Sequence, residues 1–276
     1  VFMELDQLYK KLGVSHTQRL EKLKRHMSLT EKRDDVYLEY ITLNNMLGNH
    51  LEAQQDLAQR KFHPWEGGEG KVPGQYLLAQ TELAKSAIKA GKYQEAIDTI
   101  ARSDNPIADT FFNPLISAWS HAGLNDGKKA MKALSPLASN PAFRPLYLFH
   151  AGAINDYLGN DKAAEAHYTA LMNIRHMELA VFPLQVISNF YLRRGEPDKA
   201  LRAASLALNK DNLMMKTVID DIKKSDSGVA PILKRPETGL ADALFSIALL
   251  LQQDGSNADL SILFASLSAY CAPEYP

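Results

Sequence analysis

A glycine followed five residues later by an alanine recurs down this chain, at Gly48/Ala53, Gly91/Ala96, Gly159/Ala164 and Gly195/Ala200, in the stretches GNHLEA, GKYQEA, GNDKAA and GEPDKA. Glycine closes a helix because it adopts the left-handed conformation without a Cβ penalty. An alanine one turn into the next helix is small enough to let two helices touch. The repeating unit is therefore a helix pair, and an array of such pairs buries its apolar faces only by stacking each pair on its neighbour.

Helical periodicity runs through the whole chain and no alternating strand pattern stands out. The expected pairs are 1–12 with 17–27, 31–47 with 51–60, 74–90 with 93–102, 107–122 with 128–138, 143–158 with 162–174, 177–193 with 197–208, and 239–252 with 257–272. The glycine-to-glycine interval is 36 residues from Gly123 to Gly159 and again from Gly159 to Gly195. It stretches to 43 between Gly48 and Gly91, where the loop FHPWEGGEG is inserted, and to 60 between Gly195 and Gly255. The last excess predicts a short extra helix near 212–224 and a loop through Arg235-Pro236. After Gly123 the small residue, Ala130, comes two positions late, which predicts a longer turn there.

Composition narrows the function classes. With 46% hydrophobic residues, 276 residues can bury a sizeable core. The balance of 31 basic and 32 acidic residues argues against a nucleic-acid binder, which needs a basic surplus. One cysteine, Cys271, excludes an internal disulfide and a cysteine-based zinc site. No two of the eight histidines are spaced to present a ligand pair on one helix face, so no metal or other cofactor is expected. The longest apolar run, 241–251, is too short to span a bilayer, and no partner membrane is expected. No leader pattern opens the chain, and the start at Val1 inside an apparent helix is what an excised fragment would show. The compartment expected is cytoplasmic, or periplasmic for a fragment whose parent has lost a leader.

The block GNDKAAEAHYTAL, with Gly152, Gly159, Ala164, Tyr168 and Leu171, resembles the second half of a tetratricopeptide repeat. The units around Gly195 (Tyr191, Ala200, Ala204, Ala207) and Gly91 (Ala84, Ala96, Ile100) are similar to it, and the one around Gly48 (Ala53, Leu57) more thinly. The resemblance implies an all-α, right-handed α-solenoid of about seven antiparallel helix pairs. Residues 1–98, with RKFHPWEGGEGK at 60–71, look like such repeats in large bacterial proteins bearing carbohydrate-enzyme-like domains. From about 107 onward, ALFSIALLL and ASLSAY look like a second bacterial group. Two regions, 1–100 and 101–276, follow from this: one continuous array, natural or fused near 98–110.

The resemblance also implies a role. In that family the first helix of each pair lines a concave groove that holds a peptide or protein segment. Carried over, the groove positions are Thr42, Asn45, Lys85, Lys89, Asn113, Ser117, His121, Phe149, Ala153, Asp156, Gln185, Asn189 and Arg193. Their polar, mildly basic character suits a peptide backbone or carboxylate, and the alternative is a solvated face. The expectation is a non-catalytic protein-interaction scaffold with a protein or peptide partner, and with a homodimer through the terminal helices as a further option. Two alternatives stay open. One is a structural array without ligand. The other is a carbohydrate-associated or enzymatic module centred on His63, Trp65, Glu66 and Glu69, whose side chains could equally plug a gap between repeats. Phe112 and Trp119 would form a partner groove if one flank were left uncovered.

Overall fold

The computed structural model describes residues 9–29, 34–59, 72–73, 77–104, 106–175, 179–206, 219–220, 222–224, 229–254 and 258–273. The chain is all-α. In order, the helices are α1 (His16–Leu29), α2 (Asp34–Met46), α3 (His50–Gln59), α4 (Leu77–Lys89), α5 (Tyr93–Ala101), α6 (Pro106–Gly123), α7 (Gly127–Ala133), α8 (Ser135–Ser139), α9 (Arg144–Tyr157), α10 (Asp161–Met172), α11 (Val181–Arg193), α12 (Pro197–Ala204), α13 (Pro236–Asp254) and α14 (Ala258–Cys271). Their ends fall within a few residues of those the apolar periodicity predicts. The expected extra helix near 212–224 lies mostly outside the described residues, although 219–220 and 222–224 are helical.

The turns within pairs share one construction. At the turn after α9, Gly159 has φ 73°, its N–H donates to the Asp156 carbonyl (3.0 Å), and the Asn160 N–H reaches back to the Asn155 carbonyl (2.8 Å). This double bond closes the last helical carbonyls. Gly48, Gly91 and Gly195 repeat it, and Ala53, Ala96, Ala164 and Ala200 are each fully buried.

At the remaining turn the structure differs from the sequence reading. Gly123 is the last residue of α6 and stays out of the left-handed conformation, which Asn125 takes instead, at φ 58°. Asn125 N–H bonds the Ala122 carbonyl and Asp126 N–H the His121 carbonyl, both at 2.9 Å. Asparagine tolerates this conformation better than other side chains. Ala130 lies five residues past Asn125 and is fully buried, so the period is intact. Gly123 serves packing: a Cβ there would lie 2.6 Å from the Tyr93 ring.

Two smaller differences have local causes. The helix expected over 128–138 breaks at Leu134 into α7 and α8, because Pro136 has no N–H and its ring crowds the carbonyl four residues earlier. A two-residue parallel bridge also pairs Val72–Pro73 with Ser103–Asp104, tying the segment before α4 to the one after α5.

The first helices α2, α4, α6, α9 and α11 pack side by side in one layer, each backed by its partner from α3, α5, α7–α8, α10 and α12. The last pair, α13–α14, does not continue this stack. It turns back and lies on the exposed side of the first-helix layer, α13 against α4, α6 and α9, and α14 against α2 and α4. Residues near both ends of the chain thereby meet: Ser266 Oγ donates to the Asn45 carbonyl, and the rings of His50 and Tyr270 stack with centroids 4.4 Å apart.

Candidate functional site

Counting back six residues from the left-handed turn residues at 48, 91, 125, 159 and 195 reaches Thr42, Lys85, Trp119, Ala153 and Asn189. These positions mark the inner face of the first helices, and all five are buried, none more than 9% exposed. At Lys85, Trp119 and Asn189 the covering residues belong to the chain's own C-terminal segment.

At α11, Asn189 Nδ2 donates to the Ala230 carbonyl (2.9 Å), and its Oδ1 accepts from the Ile232 N–H (3.3 Å). One amide side chain thus holds two backbone groups of a non-helical strap. Arg193 orients it, its Nε donating to the same Oδ1 at 3.0 Å while its terminal nitrogen binds the Asp156 carboxylate at 2.6 and 2.8 Å. Burial raises the Asp156 carboxyl, and the Arg193 bonds oppose that shift. Gln185, one turn earlier, is half-buried.

At the centre, Trp119 lies flat against α13. Gly239 is the residue opposite, and a Cβ there would sit 2.1 Å from the indole. The indole N–H donates to His150 Nδ1 (3.2 Å), so the imidazole proton is on Nε2, which faces Asp242 of α13 at 3.7 Å. Burial pushes His150 down to about 3 and keeps it neutral. Beside this, Tyr93 Oη donates to Glu237 (3.4 Å); burial and that carboxylate push the phenol up to about 12.

At α4, the fully buried Lys85 pairs with Glu82 (2.8 Å to Oε2) and stands over the Tyr270 ring, 4.4 Å from its centroid. Burial lowers its pKa, opposed by Glu82. Lys89 caps the end of α14, donating to the Tyr270 carbonyl at 2.7 Å with its ammonium 3.7 Å from the same ring. A cation at a helix C-terminus meets the negative end of the helix dipole. His50 is pushed down to about 4 by burial and then by Lys85 and Lys89. Neighbouring Cys271 has its thiol pushed up to about 12 by burial, so it is a protonated packing residue that donates to the Glu237 carbonyl.

Of the groove positions expected from sequence, Thr42, Lys85, Lys89, Ala153, Asn189 and Arg193 lie on this face. Asn113, Ser117 and His121 do not. Asn113 and Ser117 line a cleft of about 320 Å³ between α5, α6 and α7, with Asn113 bonded to Asp109 at 2.7 Å; His121 is half-buried at the turn into α7. The cause is the Asn125 turn. Taking Gly123 as the left-handed turn residue shifts the register by two residues, about 200° around a helix, which selects the opposite face. The corrected register selects Trp119. The flank beside Phe112 and Trp119 is covered, Phe112 meeting Phe264 of α14 edge-on at 5.3 Å. Gly239, His150, Asp242, Glu237 and Tyr270 are participants the sequence did not single out. The loop residues His63, Trp65, Glu66 and Glu69 lie outside the described residues.

Among the described residues no group of three or more His, Cys, Asp or Glu is placed to hold a metal ion, and no helix is long and apolar enough to cross a membrane. No family model matches the sequence.

Proposed function

We propose that this chain is a non-catalytic helical-repeat scaffold of the tetratricopeptide type, whose first-helix face binds a polypeptide segment. The observation that carries the reading is the Asn189 clasp: a buried side-chain amide gives one donor and one acceptor to the backbone of a non-helical segment. That is a sequence-independent way to hold polypeptide. Lys85 and Lys89 add selectivity for an aromatic residue at a helix end. The regular turns at 48, 91, 125, 159 and 195 support the repeat assignment.

Selection from a random peptide display library against the full chain tests the reading. Enriched peptides should lose about tenfold in affinity, or 1.4 kcal/mol, on Asn189→Ala and on Lys89→Ala. A second reading, a structural array without a foreign ligand, is favoured by the coverage of the inner face by α13–α14. Failure to enrich any peptide sensitive to these substitutions would select it.

A further inference from the structure

We infer that the α13–α14 hairpin is a detachable self-ligand, seated in cis on the surface a partner segment would occupy. The inference rests on the inner face being a polypeptide-binding surface and names what that surface selects: a helix with a glycine facing Trp119, and an aromatic residue near its C-terminus facing Lys85 and Lys89.

Four observations carry it. First, α4 to α12 pack in sequence from pair to pair, so each of these repeats has a neighbouring repeat besides the hairpin. Second, α13 and α14 pack more extensively on each other than any other two helices described, so the hairpin holds together as one unit. Third, it is joined to the array through the non-helical strap 229–235, fastened to α11 by the Asn189 bonds. Fourth, buried charge gathers at this seam. Glu82, Lys85, Glu237 and Asp242 are all at most 7% exposed and lie where the hairpin meets the inner helices. These charges stand beside apolar contacts at the same seam, where Phe112, Trp119, Leu240 and Phe264 are buried, whereas the seams within pairs include the fully buried Ala53, Ala96, Ala130, Ala164 and Ala200.

The polar matching at the seam is also incomplete, since His150 Nε2 and Glu237 Oε2 make no hydrogen bond. A permanent core seam is apolar and a separable one tolerates such groups. The fit is nonetheless specific. The indole plane accepts only a residue without a side chain at Gly239, and Lys89 reads a helix end through its last carbonyls. A competing segment lacking either feature would collide with Trp119 or leave Lys89 without its acceptor.

Hydrogen exchange on the unmodified protein tests detachment directly. Amides of 240–251 and 261–269 should exchange through an opening that leaves 148–156 and 184–192 protected, at least about tenfold faster than those core amides. A second arm uses Gly239→Leu in a Trp65→Phe background. Its side chain takes the space of the indole, so Trp119 emission should shift to the red and the C-terminal segment should become protease-sensitive, while 77–204 stays helical. A synthetic peptide spanning 229–273 should then restore the emission in trans. Exchange of all these amides in one global step, loss of the repeats together with the hairpin in Gly239→Leu, unchanged emission, or no rescue by the peptide would each overturn the inference. Detachment without any selected foreign peptide would leave this inference standing and remove the proposed function; foreign peptides bound beside an inseparable hairpin would do the reverse.

Discussion

Asn125 shows how one residue decides a register. It fills the left-handed turn position that glycine fills elsewhere, which leaves Gly123 free to accept the Tyr93 ring. Asn125→Gly should be neutral or slightly stabilising, whereas Asn125→Val should lower stability by about 1–2 kcal/mol, since a branched side chain at positive φ is strained. The midpoints of urea denaturation compare the two. The turn alanines behave differently, because their role is contact and not conformation. Ala164 is fully buried with Ala163 and Glu165 only half-covered beside it. Ala164→Leu should overpack the seam between α9 and α10 at a cost of roughly 1–3 kcal/mol. An unchanged midpoint would show that the alanine is not where the two helices touch.

At the scale of elements, the pairs carry most of what can be read in advance. Helices α9–α10 and α11–α12 begin and end close to their expected bounds because the signals are local: a turn residue, a small residue, and an apolar stripe. The break between α7 and α8 has a local signal too, Pro136, which the expected helix over 128–138 spans. Helix α6 carries the largest buried ring at the meeting point of the first-helix layer and α13. Trp119→Ala should cost about 3–5 kcal/mol through the cavity it opens. It should also loosen the α13–α14 hairpin first, read as faster exchange of 240–251. A uniform rise in exchange across α9–α12 would show instead that the indole supports the repeats and not the hairpin.

For the whole molecule, the seam between hairpin and repeats makes stability depend on pH. His50 titrates at about 4 and His150 at about 3 in the folded chain, against an ordinary 6.5. Between those values the unfolded chain binds protons that the folded chain refuses. The contribution is therefore full above about pH 6.5 and declines as pH falls toward 4 and below. The surroundings act unequally: Lys85 and Lys89 reinforce the low value at His50, whereas Asp242 stands 3.7 Å from His150 in a site where burial dominates. Thermal midpoints should fall between pH 7 and 4.5, and His50→Asn should flatten that slope. An equal slope in the variant would assign the pH dependence to other groups.

The candidate site was legible only in part, and the reason is geometric. Lys85, Lys89 and Asn189 could be placed on one face because the glycine turns beside them fix the helix phase. Asn113 and His121 were misplaced because their turn uses Asn125, and a two-residue error reverses a helical face. Gly239 and Tyr270 could not be found from spacing at all, since they act from a segment more than a hundred residues away from Trp119 and Lys85 in sequence.

The sequence by itself determined that the chain is helical, where most helices turn, and which small residues let paired helices touch, because backbone capping and i-to-i+4 periodicity are set by neighbours along the chain. Only the tertiary structure decided that the last pair folds back over the first-helix face instead of extending the stack. Helix α14 is apolar nearly all round, and burying more than one of its sides requires a second surface besides α13. The inner faces of α2 and α4, with Lys89 at the helix end, supply that surface.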